Sequence, residues 1–273
     1  MKLYRTARYP VLEHEGAFVP LPEEWDALVN HPSLLDHLRA AAARGPRAAA
    51  VDEPLLAPAA GQEVWGAGVT YDRSRSARLE ESQAAGGASF YDRVYEAERP
   101  ELFFKCAGWR ARGPGQPVRV RRDSRWSVPE PELALCVNAR GEIVGYTIGD
   151  DLSARDIEAE NPLYLPQAKT YDGSCALGPA LLLRERALPR ETTIGLRVTR
   201  AGGIVFEDST TLARMRRSEE ELVAFLCRET SFPLGCVLLT GTGIVPPAAF
   251  ALRAGDEIEI HVPPIGTLHN TVE

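Results

Sequence analysis

Short apolar segments separated by polar turns make up most of the chain from residue 63 onward. Residues 194–200 alternate apolar and polar side chains, which is the period of a strand with one buried face, and residues 203–208 are predicted to be its paired strand. Residues 133–137 and 236–239 are apolar without interruption, as in strands that are covered on both faces. The pattern predicts a strand-dominated α+β protein whose sheet has mixed topology.

Helical patterns are fewer and shorter than the strand patterns. They lie in residues 22–45, which a proline interrupts, in residues 76–83 and in residues 90–98, and residues 151–161 are predicted to form a short helix or a turn. One further helix is predicted after Ser218, because Glu221 three residues later completes a capping box and an apolar stripe follows.

The chain divides in composition near residue 61. Residues 1–61 combine short strand-like segments with the helical segment 22–45 and end in an Ala/Pro-rich stretch typical of a connector. We therefore predict a small N-terminal α+β domain over residues 1–61 and a larger domain over residues 62–273, which contains all the candidate site residues described below.

Composition narrows the class of protein. The net charge of −7, without a long basic run, argues against nucleic acid as the main partner. No apolar run approaches the roughly 20 residues of a membrane span, so no membrane association is expected. Five cysteines, an odd number without a C-x-x-C pair, indicate reduced thiols rather than a disulfide framework. These features predict a soluble cytoplasmic protein.

Acidic side chains are concentrated where the core should be apolar. Glu130 and Glu132 stand two apart at the start of the apolar segment 133–137. In a strand such residues share one face, about 6–7 Å apart. Two unpaired carboxylates beside a buried strand are costly, and a cation between them removes the cost. The alternative is the exposed face of an edge strand.

A further acidic pair completes a candidate metal site. Asp150 and Asp151 end the next apolar segment, residues 143–149, although such a pair also occurs in turns and helix caps. Carboxylate ligands without histidine or cysteine suit Mg²⁺, with Mn²⁺ or Ca²⁺ also possible, rather than zinc. We predict that Glu130, Glu132 and Asp151 bind the ion.

Four motifs resemble the fumarylacetoacetate hydrolase superfamily. They are PEPELAL, GYTIGDDLSARD, QAKTYDGSCALGP and LLTGTGIVP, in this order along the chain. The segments EVWGAGVTYDRSR, VYEAERPELFFKCA, RDSRWSVPEPELAL and DLSARDIEAENPLYLPQAKTY more closely resemble the superfamily's dehydratases of 2-keto-3-deoxy sugar acids, of the 2-keto-3-deoxy-D-arabinonate type. The resemblance implies the mixed β-roll of the superfamily's C-terminal domain, and self-association into a homo-oligomer.

The resemblance also implies roles for single residues. Lys169 and Glu101 are the expected catalytic residues, and either can serve as base or acid. Thr242 is expected to contact the carboxylate of the substrate. Thr70 and Asp72 are weaker candidates for contacts to sugar hydroxyls. Without the resemblance, the ordinary interpretation is an ion pair or surface position for Lys169 and a turn for Thr242.

The predicted reaction follows from the metal and from a missing histidine. A 2-oxo acid chelated by Mg²⁺ would lose its C3 proton to give an enolate, and a hydroxyl on C4 could then leave. Superfamily members that hydrolyse carbon–carbon bonds carry a His–Glu pair after the first strand of the domain, and residues 69–81 contain no histidine.

This favours dehydration of a 2-keto-3-deoxy aldonate, with 2-keto-3-deoxy-D-arabinonate giving 2,5-dioxopentanoate. The alternative is a hydrolase or decarboxylase of an acylpyruvate-like 2-oxo acid on the same metal. A third possibility is a sugar-acid-binding protein, against which the intact acid triad argues.

Overall fold

The computed structural model describes residues 1–45, 48, 50–76 and 93–273. The strands are β1 Lys2–Thr6, β2 Val11–His14, β3 Ala17–Pro20, β4 Leu55–Leu56, β5 Glu63–Gly68, β6 Glu101–Ala107, β7 Ser127–Val128, β8 Pro131–Val137, β9 Ile143–Asp151, β10 Ser153–Ala154, β11 Cys175–Leu182, β12 Thr193–Arg200, β13 Gly203–Thr211, β14 Cys236–Leu239, β15 Glu257–Val262 and β16 Gly266–Thr271. The helices are α1 Trp25–Val29, α2 Leu34–Arg44, α3 Arg155–Glu160, α4 Leu165–Lys169 and α5 Glu219–Leu226.

The predicted strand-dominated fold of mixed topology is confirmed. A large sheet has the strand order β3-β2-β1-β11-β9-β8-β14-β5-β6, with β4 paired to β1, and a second sheet has the order β13-β12-β15-β16. Strands β14 and β5 are parallel, whereas β8 pairs antiparallel to both β9 and β14. The predicted helices at 22–45 and after Ser218 are present as α1, α2 and α5.

Two predicted helical segments fall partly outside the described residues. Residues 72–76 and 93–96 are helical, and the rest of the predicted helices at 76–83 and 90–98 lies largely in the undescribed part of the chain. The predicted helix or turn at 151–161 is a short strand, β10, followed by helix α3. Among the described residues no helix is long and apolar enough to cross a membrane.

The main core lies between the two sheets. Leu133, Leu135 and Ile148 of the large sheet belong to the same buried cluster as Ile194 and Ile258 of the second sheet. Because strand β8 is buried over its whole length, its acidic start is carried into the interior of the molecule.

The N-terminal residues extend the large sheet. Strand β1 pairs with β11, with Lys2 opposite Leu182 and Leu3 opposite Leu181. Leu3 also packs in a buried cluster with Leu181 and Cys136. The division into domains at residue 61 stays a prediction, and hydrogen bonds and apolar packing both cross it.

Candidate active site

The register of the β8–β9 hairpin assembles the acidic residues. Glu132 lies opposite Gly149, and the Asp151 N–H donates a 3.0 Å hydrogen bond to the Glu130 carbonyl. Residues two apart on a strand share a face, so Asp151 points to the same side as Glu132. One oxygen from each of Glu130, Glu132 and Asp151 lies within 4.8 Å of the others, and all three residues are buried.

In each carboxylate of this triad at least one oxygen contacts a cation or an N–H group. The Arg155 guanidinium contacts Oε1 of Glu130 at 2.7 Å, and the Gly241 N–H donates to Oε2 of Glu132 at 2.5 Å. The Lys105 ammonium lies 2.5 Å from Oδ1 of Asp151. These contacts fix the orientation of three like charges that would otherwise repel each other.

Lys169 joins two members of the triad. Its ammonium donates to Oε2 of Glu130 at 2.7 Å, to Oδ2 of Asp151 at 2.9 Å and to the Ser153 hydroxyl at 2.6 Å. The Phe103 ring lies 5.4 Å from the same nitrogen and shields it from water. The predicted catalytic lysine is therefore brought to the predicted metal ligands.

Glu132 is the least compensated carboxylate of the triad. Burial raises its pKa well above the ordinary range, and the nearby charges of Asp151 and Glu130 raise it further, while Lys169 and the Gly241 N–H oppose the shift. Buried carboxylates with a shared open side form a donor set that fits a hard divalent cation, because the cation would relieve this repulsion.

The neighbouring Asp150 lies on the other side of the strand. Its Oδ1 accepts a 3.0 Å hydrogen bond from the Glu130 N–H, and burial raises its pKa to about 7. Asp150 thus supports the backbone at Glu130 and is not a member of the triad.

Two cavities meet at the site. The inner one is lined by the triad, Lys169 and Thr242, and its volume of about 20 Å³ has room for an ion or one water molecule. The outer one, of about 800 Å³, is lined by residues that include Arg93 and Asn161. Glu101, the first residue of β6, lines both cavities, and its carboxylate lies so close over Gly68 that a Cβ atom there would overlap it.

The remaining predicted site residues lie at different depths. The Thr242 hydroxyl accepts a 3.2 Å hydrogen bond from the Ile244 N–H at the cavity wall. Thr70 is fully buried and its hydroxyl donates to the Thr240 carbonyl at 2.6 Å, whereas Asp72 is exposed and lies 3.5 Å from the Arg75 guanidinium. Neither Thr70 nor Asp72 is among the described residues that line the inner cavity. A contact between either residue and the substrate stays a prediction.

Backbone conformation shapes the wall opposite the triad. Gly241 has a φ of +92°, and a Cβ atom there would overlap the Thr70 hydroxyl. Val69 lines the inner cavity with a φ of +52°, a conformation that costs a β-branched residue on the order of 1–2 kcal/mol. In this conformation the Gly241 N–H donates to the Glu132 carboxylate.

The sequence interpretation missed the contribution of two residues. Lys105 was not assigned to the site, and Glu158 of α3 lines the inner cavity without having been named. For Lys105 a signal was present, since a lysine inside an otherwise apolar strand must meet an opposite charge.

Comparison with known proteins places the chain in a family. The model of the "Fumarylacetoacetate (FAA) hydrolase C-terminal" family matches residues 76–273, which is well over half of the chain. The chain therefore belongs to the fumarylacetoacetate hydrolase family, and it is an enzyme of that family.

Within the family the chain is similar to dehydratases of sugar acids. It is 46% identical over 223 residues to a "Probable 2-keto-3-deoxyxylonate dehydratase" of Haloferax volcanii, covering 81% of this chain and 76% of that protein. It is 46% identical over 213 residues to the 2-dehydro-3-deoxy-D-arabinonate dehydratase of Saccharolobus solfataricus, covering 77% of this chain and 72% of that protein.

A solved structure extends the likeness to the whole fold. A 2-keto-3-deoxy-D-arabinonate dehydratase complexed with magnesium and 2,5-dioxopentanoate matches with a TM-score of 0.86 and 35% identity, over 100% of this chain and 99% of that one. The predicted likeness to the dehydratases of the superfamily is confirmed.

Proposed function

We propose that this protein is a Mg²⁺-dependent dehydratase that converts 2-keto-3-deoxy-D-arabinonate to 2,5-dioxopentanoate. The observation that carries the proposal is the buried triad of Glu130, Glu132 and Asp151 with Lys169 in contact with two of its members. The names of the similar dehydratases, and the magnesium and dioxopentanoate in one related structure, support the choice of ion and substrate.

The triad would hold the ion. Glu130, Glu132 and Asp151 would offer one oxygen each, and three carboxylate oxygens would leave part of the shell of a hard divalent ion open to a 2-oxo acid. When bound, a divalent ion would withdraw charge from the keto group and make the C3 proton removable. Arg155 and Gly241 keep the carboxylates oriented towards that position.

Lys169 and Glu101 are suited to the two ends of the reacting bond. Lys169 lies beside the triad, where the keto end of the substrate binds, and would move the C3 proton. Glu101 lies where the inner cavity meets the outer one, so the sugar chain passes it. Glu101 would protonate the C4 hydroxyl, which leaves as water and creates a C3=C4 double bond.

The product follows by a proton shift. Transfer of a proton from C5 to C3 moves the double bond to C4=C5, where it is the enol of an aldehyde. Ketonisation of that enol gives 2,5-dioxopentanoate. Thr242, at the wall of the inner cavity, would contact the substrate carboxylate. Thr70 and Asp72 do not line that cavity, and either would contact a sugar hydroxyl only after a change in the conformation of the chain near it.

Elimination is favoured over carbon–carbon bond hydrolysis by the positions of the histidines. None of the five histidines, all of which are described, lines the inner cavity. An imidazole is the usual group for activating water at neutral pH.

The proposal also includes a cytoplasmic location and assembly into a homo-oligomer.

A substrate assay tests the proposal. Purified protein incubated with Mg²⁺ and 2-keto-3-deoxy-D-arabinonate should release an aldehyde, and excess EDTA should stop it. Cleavage of acylpyruvates without aldehyde formation would favour the hydrolase. Saturable binding of the sugar acid without turnover of either substrate would leave a binding protein.

A further inference from the structure

The chain uses lysine very sparingly. Lys2, Lys105 and Lys169 are its only lysines among 31 basic residues. Lys105 and Lys169 are both buried at the site, with relative exposures of 0% and 2%. A lysine presents a compact charge with three donors, whereas an arginine presents a planar fork. The two buried lysines thus provide a compact charge with three donors, which the more abundant arginine would not provide.

The Lys105 ammonium contacts three oxygen atoms. The ammonium donates to the Leu152 carbonyl at 3.0 Å and to the Lys169 carbonyl at 2.5 Å. It also lies 2.5 Å from Oδ1 of Asp151. Oδ1 accepts no hydrogen bond from any described residue. Its contact with Lys105 is therefore an attraction between opposite charges.

Lys105 contacts Asp151 from outside the inner cavity. Oδ2 of Asp151 contacts Lys169, which lines the inner cavity, while Lys105 does not line it. One oxygen of Asp151 is therefore turned to the open side of the triad and the other is held by a fixed internal cation. Lys105 also holds the carbonyl of Lys169, the last residue of α4, so it links a metal ligand to the catalytic lysine.

We propose that Lys105 is a positioning residue that acts as the internal counter-ion of Asp151. It limits Asp151 to one ligand oxygen, compensates the Asp151 charge when no ion is bound, and fixes the backbone of Lys169 beside it. The inference rests on the proposed metal-dependent function and deepens it.

The direction of the effect on ion binding follows from charge. Without Lys105 the ion-free protein would contain a buried carboxylate lacking one of its counter-ions, which is strongly unfavourable. A bound divalent ion would compensate that charge, so the loss of Lys105 destabilises the ion-free state more than the ion-bound state. Lys105 therefore weakens ion binding while it improves the geometry for catalysis.

The test compares Lys105→Met with the wild type and with Lys2→Met. Methionine keeps an unbranched side chain without the charge, and Lys2 is a half-buried lysine of β1 remote from the triad. Mg²⁺ is titrated into each ion-free protein by calorimetry at the same pH and ionic strength. Turnover is measured separately at saturating Mg²⁺ and substrate.

We expect Lys105→Met to lower the dissociation constant for Mg²⁺ at least fivefold and kcat at least tenfold, with Lys2→Met like the wild type in both. An unchanged dissociation constant or an unchanged kcat in Lys105→Met would overturn the inference. Failure of the wild type to bind Mg²⁺ would instead refute the proposed metal-dependent function.

A crystal structure of the wild type with Mg²⁺ gives a readout that does not depend on folding of the variant. Asp151 should bind the ion through Oδ2 alone, with Oδ1 still beside Lys105. Bidentate binding by Asp151, or movement of Lys105 away from it, would contradict the inference.

Discussion

Glu132 has no cationic contact as close as those of its two neighbours among the described residues. Glu130 contacts both Arg155 and Lys169, and Asp151 contacts both Lys105 and Lys169. Glu132 instead accepts a hydrogen bond from the uncharged Gly241 N–H. Of the three proposed ligands, Glu132 is therefore the one whose negative charge would be compensated most by a bound cation.

We predict that Glu132→Gln abolishes turnover and leaves the fold intact. Loss of one ligand charge should lower kcat/KM by on the order of 10³-fold or more and weaken Mg²⁺ binding in calorimetry. The pKa of Glu132 is raised in the folded state. The free energy of unfolding therefore falls as pH rises through that pKa and Glu132 ionises. The ion-free variant should then unfold at pH 8 at no lower urea concentration than the wild type. Retained activity would show that the metal assignment is wrong.

A second prediction concerns Lys169. Lys169→Arg keeps a positive charge near Glu130 and Asp151, but a guanidinium does not give up a proton at neutral pH. We expect kcat to fall about 10²- to 10⁴-fold, the usual contribution of a positioned acid or base, with Mg²⁺ binding still measurable. A variant with wild-type kcat would exclude proton transfer by Lys169.

The sequence could predict the triad and could not predict its supporting contacts. Glu130 and Glu132 are two apart in one strand, so their shared face follows from local geometry. Lys105 and Asp151 are 46 residues apart, and only the packing of β6 near the end of β9 brings them together. Arg155 likewise contacts Glu130 from 25 residues further along the chain, although the adjacent Asp156 would be an equally plausible partner from sequence alone; Asp156 instead accepts from the Ser124 hydroxyl.

At the level of elements, helix α5 is joined to the central hairpin by one buried polar contact. Its capping residue Ser218 accepts a 3.1 Å hydrogen bond from the Glu221 N–H, as the sequence predicted. The next residue, Glu219, accepts a 2.9 Å hydrogen bond from the Tyr146 hydroxyl of β9. Burial raises the pKa of Glu219, and the nearby charge of Glu220 raises it further, while Tyr146 opposes the shift.

This contact predicts a pH dependence of stability. A carboxyl group whose pKa is raised in the folded state favours folding while it is protonated, and this contribution is lost as pH rises from the unfolded-state pKa through the folded-state pKa. The free energy of unfolding of the wild type should therefore fall relative to that of Glu219→Gln between pH 4 and pH 8, in urea titrations. Glu229→Gln, at an exposed carboxylate after the end of the same helix, is the matched control. A constant difference between the wild type and Glu219→Gln would contradict the assignment.

The whole molecule is held together across the predicted domain boundary. Strand β11 lies between β1 and β9, and β9 carries Asp151. The N-terminal helices pack their buried residues, among them Leu28 and Leu38, in the cluster that also contains Leu181. The N-terminal residues thus cover one face of the sheet that carries the site.

We predict that residues 62–273 alone are less stable than the full chain. Removal of residues 1–61 would leave an edge of β11 unpaired and an apolar face exposed, which favours aggregation. Expression of residues 62–273, compared with the full chain by soluble yield and thermal unfolding, tests this. An equally stable fragment would establish residues 1–61 as an independent domain.

The sequence by itself determined the elements and the chemistry that belongs to them. Its apolar patterns specified the strands, its motifs indicated the family, and the acids at the ends of 133–137 and 143–149 identified a hard-metal site. These signals are local, since strand periodicity and side-chain type act over a few residues.

Only the tertiary structure decided how the charges are balanced. The β8–β9 register placed Asp151 beside Glu130 and Glu132, and the folding of distant segments brought in Lys105, Arg155 and Gly241. Burial strengthens interactions between charges, so the electrostatics of the site depend on contacts between residues far apart in sequence. No local pattern encodes those contacts.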